Sequence, residues 1–202
     1  MSTSHHNLSQ SPNDSIPQLQ KAKVGIVVAT WNHEITFAMR DACVETLINH
    51  GLNTADLIVV DVPGAFELPL GAKILLSNQN MDAVICIGCV IKGETKHDEY
   101  ISNSVANGIM ALSVSSGKPI IFGVLTPNDQ QQALDRAGGK YGNKGIEAAH
   151  TALKMIHLSR SVHEMDKKKI GLKDRIKGSC LDSQYTGTSK RKIKEANEWL
   201  LQ

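Results

Sequence analysis

Four short apolar runs punctuate the chain, and amphipathic stretches separate them. Lys23–Thr30 reads KVGIVVAT, Leu57–Val62 reads LIVVDV, Asp82–Val90 reads DAVICIGCV and Lys118–Leu125 reads KPIIFGVL. Each is nearly continuous in apolar residues and rich in β-branched ones, the pattern of a strand covered on both faces. After the first run, Ile35–His50 carries Phe37, Met39, Cys43, Leu47 and Ile48 at helical spacing, and Gly51 ends it. Pro63-Gly64 closes the second run, and Phe66–Leu76 predicts a helix that tolerates Pro69 only because it lies in the first turn. Tyr100–Ser115 predicts a third helix. Two more, Asp129–Ala137 and Lys144–His157, flank the glycine-rich joint GGKYGNKG.

Strand and helix alternating four times specify an α/β domain: a four-stranded parallel sheet with helices on both faces. Ligands of such sheets bind outside the carboxyl ends of the strands. The residues there are Trp31-Asn32-His33, Pro63 to Glu67, Lys92 to His97 and Phe122 to Thr126. Aromatic residues make up only 4% of the chain, yet Trp31, Phe66 and Phe122 all fall toward that rim. Three scarce rings near one rim point to a flat, π-rich ligand, although core packing explains any one of them alone.

The segment after the third strand carries the most chemistry. Thr95 is placed to cap the next helix, and Asp98 and Glu99 fall in its first turn, where the dipole favours negative charge. Uncapped N–H groups at such a turn seat an anion, and His97 lies beside them. A histidine beside an anion seat suits proton transfer on a phosphorylated small molecule; a capped helix with a surface histidine fits the same residues equally well. Arg136 and Lys144 flank the glycine joint as fixed cations that could join a phosphate site. The joint is no Walker loop, since no Gly-Lys-Ser/Thr follows a strand, and no Gly-x-Gly-x-x-Gly follows the first strand.

Cys86 and Cys89 have redox spacing, but residues three apart on a strand face opposite ways, so reduced core thiols are expected. The eight histidines form no paired or cysteine-linked cluster, so no metal is expected. Met1 to Pro17 has no apolar stretch of the signal-peptide kind, and the longest apolar run falls far short of a membrane span. The expectation is a cytoplasmic protein without membrane contact. A net charge of +2 hides an asymmetry, because Ser159–Gln202 holds 11 Lys and Arg against 6 Asp and Glu. A basic tail can touch nucleic acid, an acidic surface or nothing. Solvated charge is the simplest reading, and nucleic acid is not expected as a partner except through a contact of this tail. Residues 1–22 are expected to be disordered, 23–158 to fold, and 159–202 to form a flexible basic extension. That extension is expected to end in a short, transient amphipathic helix bearing Ile193, Ala196 and Leu200.

Four segments in order, VPGAFELP from Val62, GCVIKGETKH from Gly88, PIIFGVLT from Pro119, and Arg136-Ala-Gly followed by Gly142-Asn-Lys-Gly145, resemble the 6,7-dimethyl-8-ribityllumazine synthase family. The resemblance runs from about Lys23 to Leu158. It implies a three-layer flavodoxin-like fold and a cofactor-free condensation in riboflavin biosynthesis. The substrates would be 5-amino-6-ribitylaminouracil and 3,4-dihydroxy-2-butanone 4-phosphate, with phosphate and water released. It also implies a homo-oligomer built from pentamers with sites between subunits. Carried over, Trp31, Ala65, Phe66, Glu67, Cys89, Val90, Ile91 and Phe122 would form the pyrimidine site, Phe122 from a neighbouring subunit. Glu94, Thr95, Arg136 and Lys144 would bind phosphate, and His97 would transfer the proton. Trp31 stands where many members have phenylalanine, Asp98 where an aromatic usually follows the histidine, and Lys92 where arginine is frequent. A catalytically weak flavin-binding protein on the same scaffold is the alternative reading.

Overall fold

The structure, a computed structural model, describes residues 16–178, with side-chain surroundings through Met165. Strands β1 (Val24–Ala29), β2 (Leu57–Val62), β3 (Ala83–Cys89) and β4 (Ile120–Leu125) form one parallel sheet in the order β2-β1-β3-β4. Val24 pairs with both Leu57 and Ala83, and Val84 with Ile120. The order reverses at β1, so the chain's two halves diverge between β1 and β3. That is the switch point where flavodoxin-like sheets open a ligand crevice.

Helix α1 (His33–Asn49) and the first turns of α5 (Lys144–Gly178), as far as Ile156, cover one face, α2 (Leu68–Asn78) and α3 (His97–Ser116) cover the other, and the short α4 (Gln130–Asp135) follows β4. Ile26, Val28, Ile85 and Ile87 pack with Met39 and Leu47 of α1 and Leu153 and Ile156 of α5. Their alternates Val27, Val84, Cys86 and Val124 pack with Leu68, Ala72, Val105 and Ile109. Every residue of β1 and β3 is therefore buried, which is what a continuous apolar run requires. β2 is an edge strand, and its alternate residues Val59 and Asp61 face out.

Four differences from the sequence reading matter. Residues 16–22, expected to be disordered, belong to the core: Ile16, Leu19 and Ala22 are buried, and Leu19 N–H donates to the His50 carbonyl at 2.9 Å. Their spacing is too short to show a periodic pattern, so only packing reveals them. Helix α3 begins at His97 rather than Tyr100, which moves its cap to Lys96. The glycine joint is a hairpin of β5 (Ala137–Gly139) and β6 (Gly142–Asn143), with Gly138 and Gly142 at φ 122° and 83°. Those angles lie where side chains are disfavoured, which accounts for the glycines. Helix α5 continues past His157 to Gly178. The chain divides into a compact unit up to Arg160 and a second unit from Ser161, whose described part is the rest of α5. The expected helix near the carboxyl terminus lies outside the described residues.

Candidate active site

The corner between β1 and β2 is set by backbone bonds that continue the ladder past the strands. Thr30 N–H donates to the Val62 carbonyl at 2.8 Å and Trp31 N–H to that of Pro63 at 3.0 Å. Asn32 then turns the chain into α1 with φ 58°, a conformation asparagine tolerates better than most side chains. Its Nδ2 donates to the Cys89 carbonyl at 3.0 Å, tying β1 to the end of β3 across the crevice. The Trp31 indole lies against Gly64, where a Cβ would sit 2.6 Å from its ring. Gly64 N–H donates to Glu67 Oε2 at 3.0 Å, which holds the turn that carries Ala65 and Phe66. Ala65 is buried, whereas Trp31 is 67% and Phe66 56% exposed. Two rings standing out of a fixed backbone are a ready surface for a flat ligand.

Past β3, Val90 N–H donates to the Leu125 carbonyl and Lys92 N–H to that of Pro127. The Val90 and Lys92 N–H groups and one acceptor position of the Cys89 carbonyl are thus used within the chain. The Cys89 thiol is pushed up to about 11 by burial, and those of Cys86 and Cys43 to about 12. All three are free, and Cys86 and Cys89 pack into opposite faces of the sheet as expected. Glu94 and Thr95 lie in the exposed turn before α3, and His97 is that helix's first residue, also exposed. Lys96, not Thr95, is the cap residue and supplies no side-chain bond, while Thr95 Oγ1 lies 3.4 Å from His97 N–H. Asp98 and Glu99 occupy the first turn as predicted, and Asp98 Oδ1 lies 3.4 Å from Gly93 N–H.

The remaining residues lie elsewhere in the chain. Phe122 is the third residue of β4, paired with Cys86 rather than with the end of β3. Three residues at ~3.3 Å put it about 10 Å below the rim. It stands on an edge strand, on the face of α2 and α3. Arg136 and Lys144 bracket the hairpin, which packs on the opposite face against α1, where Asn143 Nδ2 donates to the Ala38 carbonyl. Both cations bind Glu147: Arg136 at 2.5 Å and Lys144 at 3.0 Å. One chain thus gathers Trp31, Ala65, Phe66, Glu67 and the β3 segment with His97 at one rim. It does not bring Phe122, Arg136 and Lys144 to them.

The sequence reading put Asn32 and Gly64 at the rim without a role of their own and did not single out Glu147. An asparagine directly after a buried strand is a signal for a positive-φ turn, but nothing local announces its bond to Cys89. Among the described residues no three His, Cys, Asp or Glu side chains gather as a metal site, and no helix is long and apolar enough to cross a membrane.

The sequence model of the 6,7-dimethyl-8-ribityllumazine synthase family matches residues 21–160. The protein of that name from Cytophaga hutchinsonii is 53% identical over 156 residues, 77% of this chain and 98% of that one. Its counterpart from Porphyromonas gingivalis is 48% identical over 160 residues, 79% of this chain and 99% of that one. A third, from Flavobacterium johnsoniae, is 46% identical over 158 residues, 78% of this chain and 83% of that one. The family model covers more than half of the chain and these relatives are matched over most of their length, so the chain belongs to the 6,7-dimethyl-8-ribityllumazine synthase family.

Proposed function

We propose that this rim is the active site for the condensation that gives the family its name. The chain is an enzyme of transferase type that joins 5-amino-6-ribitylaminouracil to 3,4-dihydroxy-2-butanone 4-phosphate in riboflavin biosynthesis, releasing phosphate and water. The observation that carries the assignment of residues is the Trp31 indole seated on Gly64 beside Phe66, with His97 opening α3 across the crevice.

Trp31 stacks on the pyrimidine, and Ala65, Phe66 and Glu67 line its pocket. Cys89, Val90 and Ile91 contribute backbone contacts. Glu94 and Thr95 offer N–H groups to the butanone phosphate, and Arg136 and Lys144 offer charge. His97 moves the proton between the amine and carbonyl oxygen as the imine forms, then again as phosphate leaves, steps suited to imidazole near neutral pH. N–H dipoles and Arg136 stabilise the charge growing on the departing phosphate. Holding two substrates in one orientation supplies much of the rest.

The distance of Phe122 from the rim, and the position of Arg136 on the other face of the sheet, support a site completed by a neighbouring copy. We take the assembly to be a homopentamer in the cytoplasm. A flavin-binding role without catalysis has no support among the relatives.

The test mixes the purified protein with both substrates and follows lumazine absorbance and product mass. His97→Ala is expected to slow turnover on the order of 10²-fold without abolishing it. An unchanged rate would remove His97 from the mechanism, and no acceleration by the wild-type protein would overturn the activity itself.

A further inference from the structure

One acid beside the cations read as phosphate-binding has no part in the chemistry above. Glu147 lies in the first turn of α5 with its side chain only 13% exposed. Its Oε1 accepts from Arg136 Nη2 at 2.5 Å, and its Oε2 accepts from Lys144 Nζ at 3.0 Å. An acid near a helix start, three residues from a lysine, is ordinary surface stabilisation. That accounts for neither the withdrawal of the carboxylate from solvent nor its division between two cations.

The hairpin makes the arrangement. Lys144 N–H donates to the Arg136 carbonyl at 2.9 Å, one step beyond the Ala137–Asn143 pair, so the two cations leave the backbone side by side. The other arm of Arg136 donates to the Tyr141 carbonyl at 2.7 Å. Two fixed acceptors orient the guanidinium and leave the rest of its fork for an anion. The carboxylate also lowers the pair from two net positive charges to one.

We propose that Glu147 is a positioning residue for the phosphate-bearing substrate. It fixes the Arg136 fork and keeps the cluster at a single net positive charge, so that phosphate binds firmly yet leaves once its bond to the substrate breaks. The proposal rests on the reading of Arg136 and Lys144 as phosphate-binding residues.

Glu147→Gln keeps the shape and removes the charge. Inorganic phosphate should then inhibit about tenfold more strongly, because an unneutralised cation is added beside the anion. Turnover should fall by about tenfold, since the guanidinium is less firmly aimed and product phosphate leaves more slowly. The KM for the aminouracil, which meets the Trp31 corner, should not move. Glu147→Asp keeps the charge but reaches one cation less well. It should restore phosphate inhibition to within about twofold of wild type while turnover stays several-fold low. A packing role alone would depress all parameters together with thermal stability and would not tighten phosphate.

A folded Glu147→Gln variant with unchanged phosphate inhibition and turnover overturns the proposal. If that variant does not fold, Glu147→Asp with wild-type turnover overturns it. Arg136→Ala separates the underlying reading. Unchanged phosphate inhibition and butanone-phosphate KM in that variant would remove the cations from the phosphate seat, whatever Glu147 does.

Discussion

At the corner of β1 and β2 a ring stands in solvent over a glycine, whereas at the β5–β6 hairpin two cations are mostly covered and already bound to a carboxylate. The exposures are 67% for Trp31 against 21% and 27% for the side chains of Arg136 and Lys144. The difference follows from what each group costs to hold ready. A neutral ring can wait in water with only apolar hydration to bear. A cation drawn from water needs a counter-charge or hydrogen-bonding partners, or the fold loses several kcal/mol. One region is therefore prepared by shape and the other by charge, and substitutions should break them differently.

The largest effect is expected on the charged side, through its support. A Cβ on Gly145 would sit 1.9 Å from the Met39 carbonyl oxygen, a backbone atom with little room to yield. Gly145→Ala should cost about 3 kcal/mol by urea unfolding and weaken phosphate inhibition with it. A loss under ~0.5 kcal/mol would mean that α5 does not rest on α1 this closely.

Gly64→Ala strikes the ring side. The added methyl meets the exposed indole, which can swing away, and lies 3.2 Å from Glu67 Oε2 at the end of a flexible side chain, so stability should change by less than ~1 kcal/mol. Affinity for 6,7-dimethyl-8-ribityllumazine should fall about tenfold, the worth of one displaced stack. Titration by fluorescence decides it, and equal affinity would show that the indole's seat is irrelevant.

Acid should reach the α1–α5 side first. His150 of α5 is buried against His50, with ring centroids 5.3 Å apart, and its Nδ1 is unpartnered among the described residues. Burial, then the charges of His50 and Lys154, hold its pKa below the ordinary 6.5. The folded protein thus binds fewer protons than the unfolded chain, so this contribution is intact above pH 6.5 and is lost as pH falls below it. Urea midpoints from pH 8 to pH 5.5 should decline less steeply in His150→Leu than in wild type, and parallel profiles would reject this origin.

The smallest effect is expected from Trp31→Phe, which keeps a ring over Gly64 but shrinks it. Riboflavin should bind a few-fold more weakly. Equal affinity in calorimetric titration would show that ring area at this corner does not set flavin binding.

The sheet was legible because β1 and β3 are buried on both faces, and such strands are spelled as unbroken apolar runs. The position of the rim segments was legible for a related reason, since each directly follows one of these runs. The hairpin was not, because two-residue strands carry no periodicity and a glycine-rich joint fits many turns. Nor was the start of α3, where His97 and Asp98 suit a helix's first turn as readily as the loop before it. The burial of Ile16, Leu19 and Ala22 was hidden in a polar stretch whose apolar residues matter only because they meet α1 and α5.

By itself the sequence determined the layered α/β architecture and the family. Each of those depends on local pattern and short motifs, and a strand's burial is written in its own residues. Tertiary structure alone decided that Asn32 reaches the Cys89 carbonyl, that Trp31 lies on Gly64, and that Glu147 divides itself between Arg136 and Lys144. It also placed Phe122 on an edge and the cations behind the sheet, apart from His97. Such pairings join residues distant in the chain, and their distances are set by sheet register and helix packing, which no local run of residues encodes.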